Sequence, residues 1–190
     1  IAPFNSLAAI QHLIDRNPNQ IAAVILEPVV GNMGCVLPQP GYLQGLRDMC
    51  TKHNIILIFD EVMTGFRLSP GGAQQLFGVT PDMTTLGKII GGGLPVGAYG
   101  GRKDIMDFVS PQGPVYQAGT LSGNPMAMAA GLAMLKHLRS NPEIYDQLDG
   151  IAATLVEGIK KQLKDNGLPF TINQVGSMLT LFFTDQVLTT

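Results

Sequence analysis

The chain has 190 residues, a formal net charge of −2 and only 14% charged residues, against about 25% in ordinary soluble domains. Its 45% hydrophobic content excludes a disordered chain, and its 23 glycines follow no three-residue collagen period. No basic stripe offers a nucleic-acid groove, and the longest apolar runs (Ile21–Leu26, Ile55–Phe59, Pro125–Leu135) fall far short of the roughly 20 residues of a membrane span.

Asn5 or Ser6 caps a first predicted helix with Leu7, Ile10, Leu13 and Ile14 on one face, ended by Asn17-Pro18. Asp15 and Arg16 interrupt this segment, so it does not read as a cleavable signal peptide. Ile21–Leu26 reads as a strand, Pro28–Gly41 as a loop, and Tyr42, Leu43, Leu46, Met49 and Cys50 as a helical stripe broken at Asn54. Ile55–Phe59 is a second strand. Two strands apolar throughout and joined by a helix predict adjacent parallel strands buried on both faces. Residues 60–102 read mostly as loop, with a strand at Val96–Gly100, then a short helix over Arg102–Val109 and a second loop over 110–124. Asn124 caps a helix that has Pro125 at its first position and runs to about Arg139. After Asn141-Pro142, the residues Ile144, Leu148, Ile151, Leu155 and Ile159 form an amphipathic stripe, followed by strands near Phe170–Asn173 and Met178–Phe183. The pattern changes from α/β to α+β near residue 140, which places a domain junction there. Residues 1–140 belong to one domain and residues 141–190 open a second. Cys35 and Cys50 form no CxxC pair and read as ordinary thiols of a reducing compartment, and no metal site is indicated.

Four segments carry possible chemistry. The Ile55–Phe59 strand delivers Asp60 and Glu61 at its C-terminal edge, where open α/β sheets bind ligands. A magnesium-dependent nucleotide hydrolase uses such a strand, but also needs a phosphate loop. The only Gly-Lys, Gly87-Lys88, lacks both the upstream glycine (Asp82 stands there) and the following hydroxyl residue (Ile89 stands there). A carboxylate capping a loop, or pairing with Arg67, is equally open on the strand alone. Lys88 is the single charge in an apolar, glycine-rich run from Thr84 to Gly97; a lone lysine is ordinarily a solvated surface residue, whereas desolvation in such a run would favour an amine nucleophile. Tyr116–Pro125 sets hydroxyls and free backbone N–H groups before a helix start, which is either an anion site or plain capping. Leu26–Gly34 is a turn from which Asn32 reaches the crevice of Asp60.

In this order LEPVVGNMG, IFDEVMTGFR, LGKIIGGGLPVGAYGG and YQAGTLSGNP resemble the class III aminotransferases, a group of fold-type I pyridoxal phosphate enzymes. The resemblance covers essentially the whole chain and is greatest to the aminomutase branch, which converts glutamate-1-semialdehyde to 5-aminolevulinate for tetrapyrrole synthesis. It implies an α/β large domain with a mostly parallel sheet flanked by helices, plus the start of an α+β small domain. It also implies that Lys88 binds pyridoxal phosphate covalently and moves the proton. Asp60 would pair with the pyridine nitrogen, Val62 pack on the ring, and Asn32 contact its phenolic oxygen. Gly119 and Thr120 would reach the cofactor phosphate of a partner subunit, so that the active site belongs to a homodimer. The enzyme would work in bacterial cytoplasm or plastid stroma. Relatives of this kind extend further at both ends, so the 190 residues are expected neither to bind the cofactor well nor to turn over alone. An ordinary ω-aminotransferase, with separate amino donor and acceptor, is the nearest alternative.

Overall fold

The computed structural model describes residues 1–189. Helix α1 (Leu7–Arg16) starts where Ser6 Oγ accepts the Ala9 N–H at 3.2 Å and ends at Asn17. Strand β1 (Ala23–Leu26) leads through a long loop to α2 (Tyr42–Lys52), and β2 (Ile56–Asp60) then pairs parallel with β1. A short helix α3 (Gly72–Phe77) precedes β3 (Met83–Leu86), which is parallel to β2. A single 3₁₀ turn, Lys88–Gly91, follows; β4 (Ala98–Gly101) closes the sheet antiparallel to β3. Then come α4 (Lys103–Met106), α5 (Pro125–Ser140) capped by Asn124, and α6 (Ile144–Asp165). The hairpin of β5 (Thr171–Val175) and β6 (Met178–Phe182) completes the chain. No helix among the described residues is long and apolar enough to cross a membrane.

The main core lies between the sheet and the first two helices. Ile10 and Ile14 of α1 and Tyr42, Leu43, Leu46 and Cys50 of α2 meet Leu57 and Phe59 of β2. A second core joins Val29 and Cys35 of the loop after β1 to Leu68, Ala73 and Met178, and so fastens the hairpin to that loop. The Cys35 N–H donates to Thr180 Oγ1 at 2.9 Å across the same contact. Both cysteines are free and buried, and burial pushes their thiols up, which makes them poor nucleophiles at neutral pH.

Three expectations need correction. The strands β1 and β2 are not buried on both faces: Leu57 and Phe59 are fully enclosed, but Ile25 is 60% exposed. Alternation sends Val24 and Leu26 to the helix-covered face and Ile25 to the other, which the described residues leave open. Residues 60–102, expected to be mostly loop, also hold α3 and β3. The sequence of β3, Met-Thr-Thr-Leu, has no apolar run, and its extended form comes from pairing with β2 on one side and β4 on the other. In α6 the buried residues are Ala152, Val156 and Leu163, whereas Leu148, Ile151 and Leu155 of the predicted stripe are exposed. On the packed side, the Tyr145 hydroxyl donates to the Phe66 carbonyl at 3.2 Å and Asp149 sits beside Gly176 of the hairpin turn.

At the N-terminal edge of β3, Asp82 is nearly buried. It accepts the Leu57 N–H at 2.7 Å and pairs with Arg47 at 2.8 Å and Arg102 at 3.0 Å. Burial alone would push its carboxyl up; the backbone N–H and the two guanidinium groups outweigh that and hold it below the usual carboxylate range. A depressed folded-state pKa gives stability that is present above the unfolded value of about 3.9 and lost as pH falls through the folded one. Asp82→Asn should therefore cost on the order of 3 kcal/mol at neutral pH, with the gap to wild type closing as the pH falls below about 4. Urea unfolding across pH checks this.

Candidate active site

The parallel strands β1, β2 and β3 end side by side, and the residues just beyond those ends converge. Asp60 is the last residue of β2 and lies in register with Thr85 of β3. Its Oδ1 accepts the Val62 N–H at 3.0 Å and the Thr85 hydroxyl at 3.2 Å. Its Oδ2 has no hydrogen-bond donor among the described residues.

The neighbouring carboxylate has a different fate. Alternation turns Glu61 to the opposite face, where it is 1% exposed. It accepts the Thr64 hydroxyl at 2.9 Å, the Ala73 N–H at 2.6 Å, and both the backbone and side-chain N–H groups of Gln74, at 3.2 and 2.9 Å. Glu61 is thus the N-terminal cap of α3, delivered from twelve residues upstream. Of the two readings left open for these carboxylates, capping is correct for Glu61, and Arg67 instead donates to the Met63 carbonyl. A sealed Glu61 cannot activate water, which removes the physical basis of the hydrolase reading.

Lys88 follows β3 after one extended glycine and opens the 3₁₀ turn with φ of 48°. A non-glycine residue in this left-handed region stores about 1–3 kcal/mol, which the surrounding fold must hold. Of the two readings of Lys88, the solvated one holds for its exposure: its side chain is exposed, while Ile90 turns inward. Apolar neighbours in sequence do not cover it, because in a 3₁₀ turn they point away around the axis. The Lys88 amine makes no ion pair or hydrogen bond among the described residues and lines a groove with Arg67, Gly92, Gly93, Val96 and Met134. Val62, two residues past β2, packs on the backbone just before Lys88: a Cβ on Gly87 would stand 3.1 Å from Val62 Cγ1.

Asn32 lies in the turn after β1 and donates to Glu27 Oε1 at 2.9 Å, while Glu27 Oε2 accepts the Gly31 N–H at 2.8 Å. Glu27, which no local signal marks, thus organises this turn. Gly119 and Thr120 are exposed in the 110–124 loop and do not line the Lys88 groove. The structure joins Asp60 to Thr85 and to the Val62 N–H and sets the Val62 side chain on the glycine before Lys88; Glu27 holds the Asn32 turn, and Gly119 and Thr120 stand exposed in a separate loop.

Exposed amine, free carboxylate oxygen and glycine-lined backbone at the ends of parallel strands accompany a match of residues 3–189 to the family aminotransferase class-III. The chain belongs to the class III aminotransferases. Over 184 residues it is 60% identical to the glutamate-1-semialdehyde 2,1-aminomutase of Cytophaga hutchinsonii, covering 97% of this chain and 43% of that protein. It is 57% identical over 186 residues to the corresponding enzyme of Salinibacter ruber, covering 97% and 42%. The chain thus spans less than half the length of the curated relatives it matches. Among solved structures it superimposes on an omega-transaminase from Sphaerobacter thermophilus with a TM-score of 0.90 at 36% identity, covering 97% of this chain and 42% of that one. A glutamate-1-semialdehyde-aminomutase from Pseudomonas aeruginosa gives 0.83 at 28% identity, covering 98% and 42%, and a further structure of that enzyme is in complex with PMP. The predicted fold class, a mostly parallel sheet flanked by helices as in the transaminases, is borne out.

Proposed function

We propose that the protein carrying this chain is a pyridoxal phosphate-dependent aminomutase that moves the amino group of glutamate-1-semialdehyde from C2 to C1, giving 5-aminolevulinate for tetrapyrrole synthesis. The observation that carries this reading is the 57–60% identity to curated aminomutases over nearly the whole chain. A class III ω-aminotransferase with separate donor and acceptor is the second reading, favoured by the greater identity of the omega-transaminase structure, 36% against 28%.

The residues present fit the cofactor: an exposed amine just beyond β3, a carboxylate with one unclaimed oxygen at the end of β2, and a branched apolar side chain packed on Gly87. When bound, pyridoxal phosphate supplies an electron sink for the carbanion formed beside the transferred nitrogen. Lys88 would be its covalent anchor, and once released its Nζ would serve as general base and acid in each proton shift that accompanies the amino transfer. Asp60 Oδ2 accepts the hydrogen bond of the ring N–H and keeps that nitrogen protonated. Val62 packs on one face of the ring. Asn32, held by Glu27, donates toward the phenolic oxygen.

Gly119 and Thr120 serve the phosphate of a partner subunit, so the working unit is a homodimer. Support comes from their exposure and from the open apolar surface beside them on α5, where Met126 and Leu132 are 73% and 56% exposed. Residues 1–140 form the later part of a cofactor-binding domain and residues 141–190 begin a smaller one. The bacterial relatives favour a cytoplasmic enzyme. The test is to supply the full-length protein with glutamate-1-semialdehyde and no keto acid. Formation of 5-aminolevulinate without an added acceptor supports the mutase, and an absolute need for a keto acid overturns it in favour of the ω-aminotransferase.

A further inference from the structure

We propose that Thr85 is the positioning residue for Asp60, its hydroxyl and the Val62 N–H together pinning Oδ1 so that Oδ2 stays aimed at the ring nitrogen. This rests on the reading of Asp60 given above. Both observed donors converge on the same oxygen, at 3.0 and 3.2 Å, and leave the other free. A carboxylate held at one oxygen by a single N–H could still rotate about its Cβ–Cγ bond; a second donor from a different strand removes that freedom. Thr85 suits the task because its branched Cβ restricts χ1 and because the parallel register sets it directly beside Asp60.

The adjoining residue pair shows that this is not generic threonine chemistry. Thr84 faces the other side of the sheet, where its Oγ1 accepts from Gln74 Nε2 at 3.3 Å, inside the network around Glu61. The consecutive pairs Asp60-Glu61 and Thr84-Thr85 thus divide between the two faces. Thr84 joins the Gln74–Glu61 network that builds α3, and Thr85 binds the carboxylate left for the crevice.

The experiment loads the full-length protein with pyridoxal phosphate labelled with ¹⁵N in the ring and records the nitrogen signal by NMR, together with kcat, KM and the melting temperature. Thr85→Val should shift the ring-nitrogen signal toward that of the unprotonated ring and lower kcat about tenfold, with KM and melting nearly unchanged, since a hydrogen bond to a charged group is being removed. Thr85→Ser, which keeps the hydroxyl, should restore the signal. If the valine variant does not fold, Thr85→Ala reads out the same signal. A nitrogen signal and kcat unchanged in the variants that lack the hydroxyl would overturn the proposal. A wild-type ring nitrogen that is already unprotonated, or one that does not respond to Asp60→Asn, would instead bring down the assignment of Asp60, and this inference with it.

Discussion

Replacing Lys88 with alanine in the full-length protein is expected to abolish covalent capture of the cofactor and to slow turnover by at least about 10³-fold. One side chain is asked to do two jobs, anchoring and proton transfer, and general acid–base catalysis alone accounts for about 10²–10⁴-fold. No second amine lines the groove among the described residues, so no neighbour can substitute. Lys88 opens its turn in left-handed backbone just beyond the end of β3. Alanine keeps that backbone and its strain, so the fold should survive while the chemistry is lost. Borohydride reduction followed by peptide mapping checks the assignment: the wild type should carry the reduced adduct on Lys88, and the variant should carry none. An adduct on another lysine would sink the assignment.

The second large effect is on folding. Glu61→Ala is expected to cost about 3–5 kcal/mol, because it leaves the Thr64 hydroxyl and the Ala73 and Gln74 backbone N–H groups without their acceptor and the Gln74 amide with Thr84 alone. Helix α3 is six residues long and preceded by Gly71, with no side-chain cap of its own. Gly72 has φ of 67°, and any Cβ there would collide with the Glu61 carboxylate. Glycine is required at that point so that the chain can close around the carboxylate. Glu61→Gln keeps the shape but turns an amide toward N–H donors, and should cost about 1–3 kcal/mol. Urea unfolding measures both; an alanine variant within 1 kcal/mol of wild type would show that α3 does not depend on this cap.

These two residues mark how far the sequence could be read. Lys88 and Asp60 stand out because each sits beside a segment whose local signals are strong: a charge-free glycine run in one case and an apolar strand in the other. Glu61 stands in the same motif, and nothing in the order Phe59-Asp60-Glu61 says which carboxylate faces the crevice. Thr85 and Glu27 carry no local signal, because their roles lie in hydrogen-bond partners, 25 residues away in the case of Thr85 and Asp60.

By itself the sequence determined the elements whose signals are local. Ser6 and Asn124 cap their helices within three residues, the two apolar runs form parallel strands, and the ordered motifs identify the family. Only the tertiary structure decided the rest. It turned Asp60 to the crevice and Glu61 to the core, made a strand of Met83–Leu86, built α3 on a distant carboxylate, packed α6 on Ala152, Val156 and Leu163, and left Lys88 exposed. The reason is range. Propensity, capping and periodicity act over about one helical turn, whereas which face of a strand or helix is covered, and which carboxylate finds donors, depends on segments brought together from far along the chain.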